Sequence, residues 1–265
     1  MMNKTVFLFA THKLTDFVLE QYYRLKLATK NIGVLYLLIE DGELQQIPVD
    51  VKYYSFSVDT LNELNYEPIE ESIIPGSNHF PVLQFYKEHP EFLYYWNIEY
   101  DVYFNGKWES FFDPFEMIIS DFISSHIEWY TQRPKWDWWK SVQFKTLSIP
   151  QNRYLKSFNP IYRISNRALK ALDGVLSLRN SGHHEVVIPT VLDYLGYTIN
   201  DFGGNSEFTL CELNIPCYLS NSELNNWYTE STMRYRPVFN KEAITRKGID
   251  NMLSLIHISE PTRLD

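Results

Sequence analysis

Short apolar runs alternate with amphipathic stretches through the first hundred residues of the chain. Thr5–Ala10 is β-branched and aromatic, is closed by the polar Thr11-His12-Lys13, and predicts a first strand. Across residues 16–30, Val18, Tyr22 and Leu25 share one helical face, with Thr15 or Asp16 placed to cap it. Gly33–Ile39 is continuously apolar, as in a parallel strand buried on both faces, and it ends at Glu40-Asp41-Gly42. Val51–Ser57 is a third, more amphipathic strand. Residues 58–90 carry Pro and Gly punctuation around a short predicted helix, Pro81–Glu88. Leu93–Val102 then reads as one buried strand ending in acids, Asp121–Ile127 as another strand, and 128–140 as a loop with four tryptophans.

After Pro150 the pattern becomes helical. Ser165 caps a helix over 166–179 with Leu169, Leu172, Val175 and Leu176 on one face. His184–Leu195 is a second helix, in which Pro189 is tolerated by lying in or near the first turn. From Asp201 onward the chain reads as irregular. The strand–helix–strand order predicts an α/β fold with a mostly parallel, mixed sheet flanked by helices and joined by right-handed crossovers.

Ligands of such sheets bind outside the carboxyl ends of the strands. Thr11, His12, Asp41 and the pair Glu99 and Asp101 all stand where predicted strands end. Residues i and i+2 of a strand point the same way, so both acids can converge on one cation. Mn²⁺ and Mg²⁺ prefer oxygen ligands and share them with substrate phosphates. Asp41-Gly42-Glu43 has the same spelling, but follows as a turn where Asp41 can accept hydrogen bonds from a nucleoside or stay solvated. Lys107 and Trp108, beside the dyad, are placed to contact a donor. Glu185 opens a predicted helix, whose positive end favours an ionised carboxylate able to act as a base. His183 and His184 can orient it, with at least one expected at the surface. Arg163 suits either a phosphate or an ion pair, and Arg234 and Arg236 a phosphate-facing loop. The tryptophans Trp129, Trp136, Trp138 and Trp139 suit either a lid stacking on a sugar or a loop tucked over the core.

Composition narrows the field. A net charge of −9, with no basic run, argues against a nucleic-acid partner. Tyr 19, Phe 17 and Trp 7 make the chain rich in aromatic rings, for packing or for stacking on sugars. Cys211 and Cys217 are too few for a disulfide framework and lack zinc-site spacing, which suits a reducing compartment. The N-terminal apolar run is too short for a signal peptide or a membrane span, so a cytoplasmic protein is expected. Residues 253–263, LSLIHISEPTR, read as an unbroken translation of a transposase-type sequencing adapter. Residues 253–265 are then a non-native tail, the natural chain is expected to stop near Met252, and His257 is excluded as a ligand or base.

The segment WNIEYDVYFNGKWESFF resembles the acidic-motif block of a bacterial GT-A-type glycosyltransferase family, with Glu-x-Asp in place of Asp-x-Asp. A second matching block is Ile161–Asp201, in particular YRISNRALKAL and SGHHEVVIPTVLDYLGYTINDFG. With the N-terminal strand order, the resemblance covers most of residues 4–250. It implies a single GT-A-like domain over residues 1–252, with Glu99 and Asp101 binding Mn²⁺ or Mg²⁺ on the diphosphate of a nucleotide-sugar donor. It further implies Glu185 as catalytic base, a glycan or glycolipid acceptor, and peripheral contact with the inner membrane surface. Many relatives use a further C-terminal histidine, which the adapter reading would have replaced. A non-catalytic carbohydrate-binding protein, a degenerate transferase homologue and a metal-dependent phosphoester hydrolase stay open as alternatives.

Overall fold

A computed structural model describes residues 5–71, 73–203, 206–210, 217–218, 232–233, 241 and 250–256. Its centre is a seven-stranded mixed sheet. In chain order the strands are β1 (Thr5–Thr11), β2 (Val34–Glu40), β3 (Tyr53–Phe56), β4 (Tyr94–Glu99), β6 (Phe122–Trp129), β7 (Leu155–Ser165) and β8 (Ile199–Asp201), while β5 (Val102–Phe104) stands apart. Their spatial order is β3-β2-β1-β4-β7-β6-β8, with β7 antiparallel to both of its neighbours and all other pairs parallel. The expected α/β class and mostly parallel sheet are therefore present.

Side-chain alternation divides the core between the two faces of the sheet. Val6, Leu8, Tyr36, Leu38 and Tyr95 pack on one face with α3 (Phe80–Glu88), α5 (Asn166–Leu176) and α6 (His184–Tyr194). Phe7, Phe9, Leu37, Ile39, Trp96 and Ile98 pack on the other with α1 (Asp16–Thr29) and α4 (Trp108–Phe112). The Thr15 hydroxyl accepts from the Val18 N–H, and Ser165 likewise from Ala168, so both expected caps form. Among the described residues no helix is long and apolar enough to cross a membrane.

Three expectations are corrected. The run Leu93–Val102 is not one strand: β4 ends at Glu99, Tyr100 and Asp101 form a turn, and β5 starts at Val102. After a 3-10 turn at Gln151–Arg153, the segment that follows Pro150 forms an eleven-residue strand, β7, before its first α-helix. Pro160 hides this strand, because proline is normally kept out of central strands. Here it falls in a bulge, where β6–β7 pairing jumps from Ile123↔Arg163 to Ser125↔Phe158 and the missing N–H breaks no ladder bond. Finally, Pro189 is the sixth residue of α6, well past the first turn. The Glu185 carbonyl that its absent N–H leaves free is met by the Ser157 hydroxyl at 3.5 Å.

Residues Leu253–Leu255, within the stretch read as adapter-derived, form β9 and pair antiparallel with β5. Leu253 and Leu255 enter the core beside Phe104, and the Ile256 N–H donates to the Asp101 carbonyl at 3.0 Å. Such pairing needs only a backbone and an apolar face, whatever the origin of the segment. Leu253→Ala is accordingly expected to cost about 2–5 kcal/mol, as a fully buried leucine does. Urea unfolding checks it, and a change below about 0.5 kcal/mol would mean that β9 does not cover β5 in solution.

Candidate active site

Sheet order alone selects one place for a ligand. The chain builds β2 and β3 on one side of β1, then crosses to place β4 on the other side. The carboxyl ends of β1 and β4 flank this switch point, where open α/β sheets leave a crevice. In register Ala10 lies opposite Glu99, so Thr11, His12 and the acidic turn share the same rim.

Tyr95, Asn97 and Glu99 alternate out of β4 toward the α3/α6 face, passing from core to partly exposed rim. Asn78, just before α3, donates from Nδ2 to Glu99 Oε1 at 3.2 Å. Asp101 follows in the turn, held through its carbonyl by Ile256, and its buried Oδ1 has no hydrogen-bond partner. The strand-spacing argument is thus replaced by a strand end plus a turn, which still presents both carboxylates at one edge.

Glu185 reaches the same rim from α6. Its Oε1 accepts the N–H of Asn159, in the β7 bulge, at 3.4 Å. Asn159 also donates from Nδ2 to the His184 carbonyl at 3.3 Å, so the bulge clamps the start of α6. His183 caps this helix: its Nδ1 accepts the backbone N–H of Glu185 at 3.3 Å. That nitrogen cannot also carry a proton, so the 3.8 Å approach of Glu185 Oε2 is not an ion pair. His183 and His184 are both buried, correcting the expectation that one lies at the surface.

Electrostatics ties the three acids together. Burial raises the pKa of Glu99, and the charges of Asp101 and Glu185 raise it further. Burial also raises Asp101. Glu185 is pushed up to about 7 by burial, against the opposing pull of Lys156. Four histidines, His79, His126, His183 and His184, are lowered by burial and stay neutral.

A pH dependence of stability follows. Carboxylates raised on folding stabilise fully below their unfolded pKa, and that contribution is lost as pH climbs through the folded value of about 7. Histidines lowered on folding lose stability as pH falls through about 6.5, an opposing contribution that fades by about pH 7.5, above which the acids decide. The metal-free protein is expected to lose about 1–3 kcal/mol between pH 6.5 and 8.5, and Mn²⁺ to reverse most of that loss. Melting curves at both pH values, with chelator and then with Mn²⁺, read this directly; a flat chelated profile would refute it.

The remaining expected residues divide into three groups. His12 meets Tyr100 edge-on, ring centroids 5.1 Å apart, and so touches the acidic turn. Thr11 is on the rim, but its hydroxyl is used within its own loop, donating to the Lys13 carbonyl at 2.7 Å. Asp41 is exposed at the start of a short 3-10 helix after β2. Lys107 is exposed at the start of α4, after β5 has led the chain away to carbonyls of Phe104 and Gly106 that bind Arg24. Trp108 is corrected to a core residue, packed on Phe104, Phe111 and Phe112 at 2 % exposure. The Arg163 guanidinium donates to the carbonyls of Phe115, Ile118 and Ser120, and it pairs with no carboxylate among the described residues. Arg234, Arg236, Cys211 and His257 lie outside the described residues.

The tryptophan-rich loop is tucked against the core. Trp139 is buried and donates to the Arg133 carbonyl, while Trp138 stacks on His183 at 4.3 Å. The β6–β7 ribbon continues past the end of β4 as far as Trp129↔Leu155 and walls this side of the rim. On it Lys156, 6 % exposed, pairs with Glu128 at 3.3 Å and lies under the Trp136 ring. Sequence reasoning missed Asn78, His79 and Lys156. A Ser-Asn-His run between Gly76 and an apolar helix start is a usable signal for the first two, whereas Lys156 had none, since its strand went unrecognised.

An oxygen-only donor set suits a hard cation such as Mn²⁺ or Mg²⁺, and the unpartnered Asp101 Oδ1 fits a cation-facing oxygen. Among the described residues no group of three or more His, Cys, Asp or Glu is arranged to hold a metal by itself. Mg²⁺ commonly uses one or two carboxylates and takes the rest from phosphate and water, so Glu99 and Asp101 fit that pattern.

No family model matches the chain, and no curated protein matches its sequence. Several solved structures resemble it at low identity. One is a glycosyltransferase involved in glycosylation of the major capsid of PBCV-1, at 12% identity and TM-score 0.38, covering 76% of this chain and 84% of that one. Another is the inositol-1-phosphate CTP transferase of T. maritima, at 12% identity and TM-score 0.41, covering 80% of this chain and 92% of that one. A third is glucosyl-3-phosphoglycerate synthase of Mycobacterium tuberculosis in complex with Mg²⁺ and uridine diphosphate, at 12% identity and TM-score 0.41, covering 75% of this chain and 68% of that one. These three are glycosyltransferases and a nucleotidyltransferase.

Proposed function

We propose that the protein is a metal-assisted glycosyltransferase that moves a sugar from a nucleotide-diphosphate donor to a glycan hydroxyl. One observation supports this reading: burial raises the pKa of Glu99 at the end of β4, Asp101 in the turn after it and Glu185 on α6, and the charges of Asp101 and Glu185 both act on Glu99. Like charges gathered at such cost mark a functional site more often than a structural one.

Glu99 and Asp101 would hold Mn²⁺ or Mg²⁺, which supplies positive charge for the departing diphosphate. Glu185, held by Asn159 and the cap of α6, takes the proton from the acceptor hydroxyl. The acceptor oxygen bonds to the anomeric carbon as the bond from that carbon to the diphosphate oxygen breaks. Attack from the side opposite the leaving group inverts the anomeric centre. Lys156 keeps Glu185 from being protonated too firmly at neutral pH. The tryptophan-rich wall beside Glu185 offers a stacking surface for the acceptor.

The test is a thermal-shift series of nucleoside diphosphates with and without Mn²⁺, on a chain that retains β9. At least one diphosphate is expected to raise the melting temperature by several degrees only when Mn²⁺ is present. Sugar binding that ignores both chelator and Glu99→Ala would favour a non-catalytic carbohydrate binder. Phosphate release from a nucleotide sugar without acceptor would favour a hydrolase.

A further inference from the structure

The tryptophan-rich loop is tied directly to the segment that carries Glu185. Gln143 and Ser181 exchange backbone hydrogen bonds, one at 2.9 Å and its return at 3.1 Å. A Cβ on Gly182 would stand 3.1 Å from the Val142 Cα, so the two backbones touch. The Ser141 hydroxyl accepts the His183 N–H at 2.9 Å and donates to the Trp138 carbonyl at 2.6 Å. Trp138 then lays its ring on that of His183, with centroids 4.3 Å apart and planes 25° from parallel. The His184 ring also lies against His183, at 4.8 Å. Trp139 anchors the loop itself, buried and donating to the Arg133 carbonyl.

His183 does something here that only one of its tautomers can do. Its Nδ1 accepts the Glu185 N–H at 3.3 Å, which requires a lone pair there and puts the ring proton on Nε2. The same Nδ1 stands 3.8 Å from Glu185 Oε2. With its proton on Nδ1 instead, the ring would lose the cap and donate to that oxygen, competing with the hydroxyl whose proton a base must take. The other carboxylate oxygen, Oε1, is already engaged by the Asn159 N–H. The setting of the His183 ring therefore decides whether Oε2 is free. A ring stacked on an indole face cannot turn about its own bond without giving up that contact.

We propose that Trp138 is a positioning residue for Glu185: by stacking on His183 it keeps that ring in its capping setting and leaves Glu185 Oε2 open to the acceptor hydroxyl. The kinetic part of this rests on the transferase reading above, whereas the part that concerns the His183 ring does not. Trp138 acts through His183 and needs no contact with substrate. A tryptophan that only packed would add stability and leave both the tautomer and the turnover as they are.

Two measurements on the full chain test this. Long-range proton–nitrogen correlation NMR of the imidazoles reads which His183 nitrogen carries the proton, its signals being assigned by their loss in His183→Asn. The wild type is expected to show one tautomer, with the proton on Nε2, and Trp138→Ala to show both. In transfer assays Trp138→Ala should lower kcat about 10–100-fold with little change in the donor KM, the scale of a misplaced base. Trp138→Phe, which keeps a ring face on His183, should return kcat to within about 3-fold of the wild type. Ser141→Ala cuts the link from the His183 N–H to the Trp138 carbonyl and should move both readouts in the same direction; it decides the matter should Trp138→Ala not fold. A wild-type ring protonated on Nδ1, a Trp138→Ala protein that keeps the single tautomer, or one that keeps full turnover would each overturn the proposal. If the wild type transfers no sugar from any nucleotide donor, the transferase reading fails by itself, and the tautomer measurement still decides whether Trp138 sets the His183 ring.

Discussion

Glu99→Gln is expected to lower sugar transfer by about 10²–10⁴-fold while making the metal-free protein more stable at pH 8. The two effects share one cause. Glu99 is held by a single amide, Asn78, and faces the charges of Asp101 and Glu185 in a buried setting. Replacing the carboxylate by an amide of equal size removes that repulsion, for a gain of about 1–3 kcal/mol. In the proposed mechanism, loss of one of the two anionic ligands would forfeit the positive charge that offsets the departing diphosphate, a contribution of several kcal/mol. Mn²⁺ should accordingly raise the melting temperature of the wild type but not of the variant. A variant that is destabilised without metal, or that keeps its response to Mn²⁺, would remove Glu99 from the site. A purely structural carboxylate would show the opposite pattern, losing stability and sparing function.

Glu185→Gln is the second large expectation. Its amide keeps the hydrogen bond from the Asn159 N–H but cannot take a proton, so turnover should fall about 10²–10⁴-fold with little change in donor affinity. In the wild type, turnover should rise about tenfold per pH unit below the Glu185 value of about 7, then level off as the carboxylate ionises. Lys156→Met should carry that inflection upward, because its charge pulls the Glu185 pKa down. Initial rates across pH 5.5–9 test both statements. A pH profile unchanged by Glu185→Gln would assign the base to another group.

Much of the fold was legible in the order of residues. The run Gly33–Ile39 could only be a strand covered on both faces, and Thr15 and Ser165 announced their helices by chemistry that acts over three residues. What could not be read was β7. A strand with Lys156 and Arg163 buried along it, and Asn159-Pro160 in its middle, breaks each local rule for a central strand. Those residues are satisfied only by distant partners: Glu128 for Lys156, three carbonyls of residues 115–120 for Arg163, and a bulge for Pro160. Trp108 shows the converse. Being next to the dyad in sequence placed it near the site, yet β5 carries it away into the opposite core.

The sequence by itself determined the α/β class, the first strands that end at the rim, and the acidic pair that follows the fourth, because strand alternation, capping and burial patterns are local. Only the tertiary structure decided that β4 stops at Glu99 and turns, that the β7 bulge brings Glu185 across to it, and that Asn78, His79, Asn97 and His184 gather beneath. The reason is physical. Pairing register and the crossing from β3 to β4 on the far side of β1 depend on contacts between residues tens of positions apart, and no local pattern encodes such contacts.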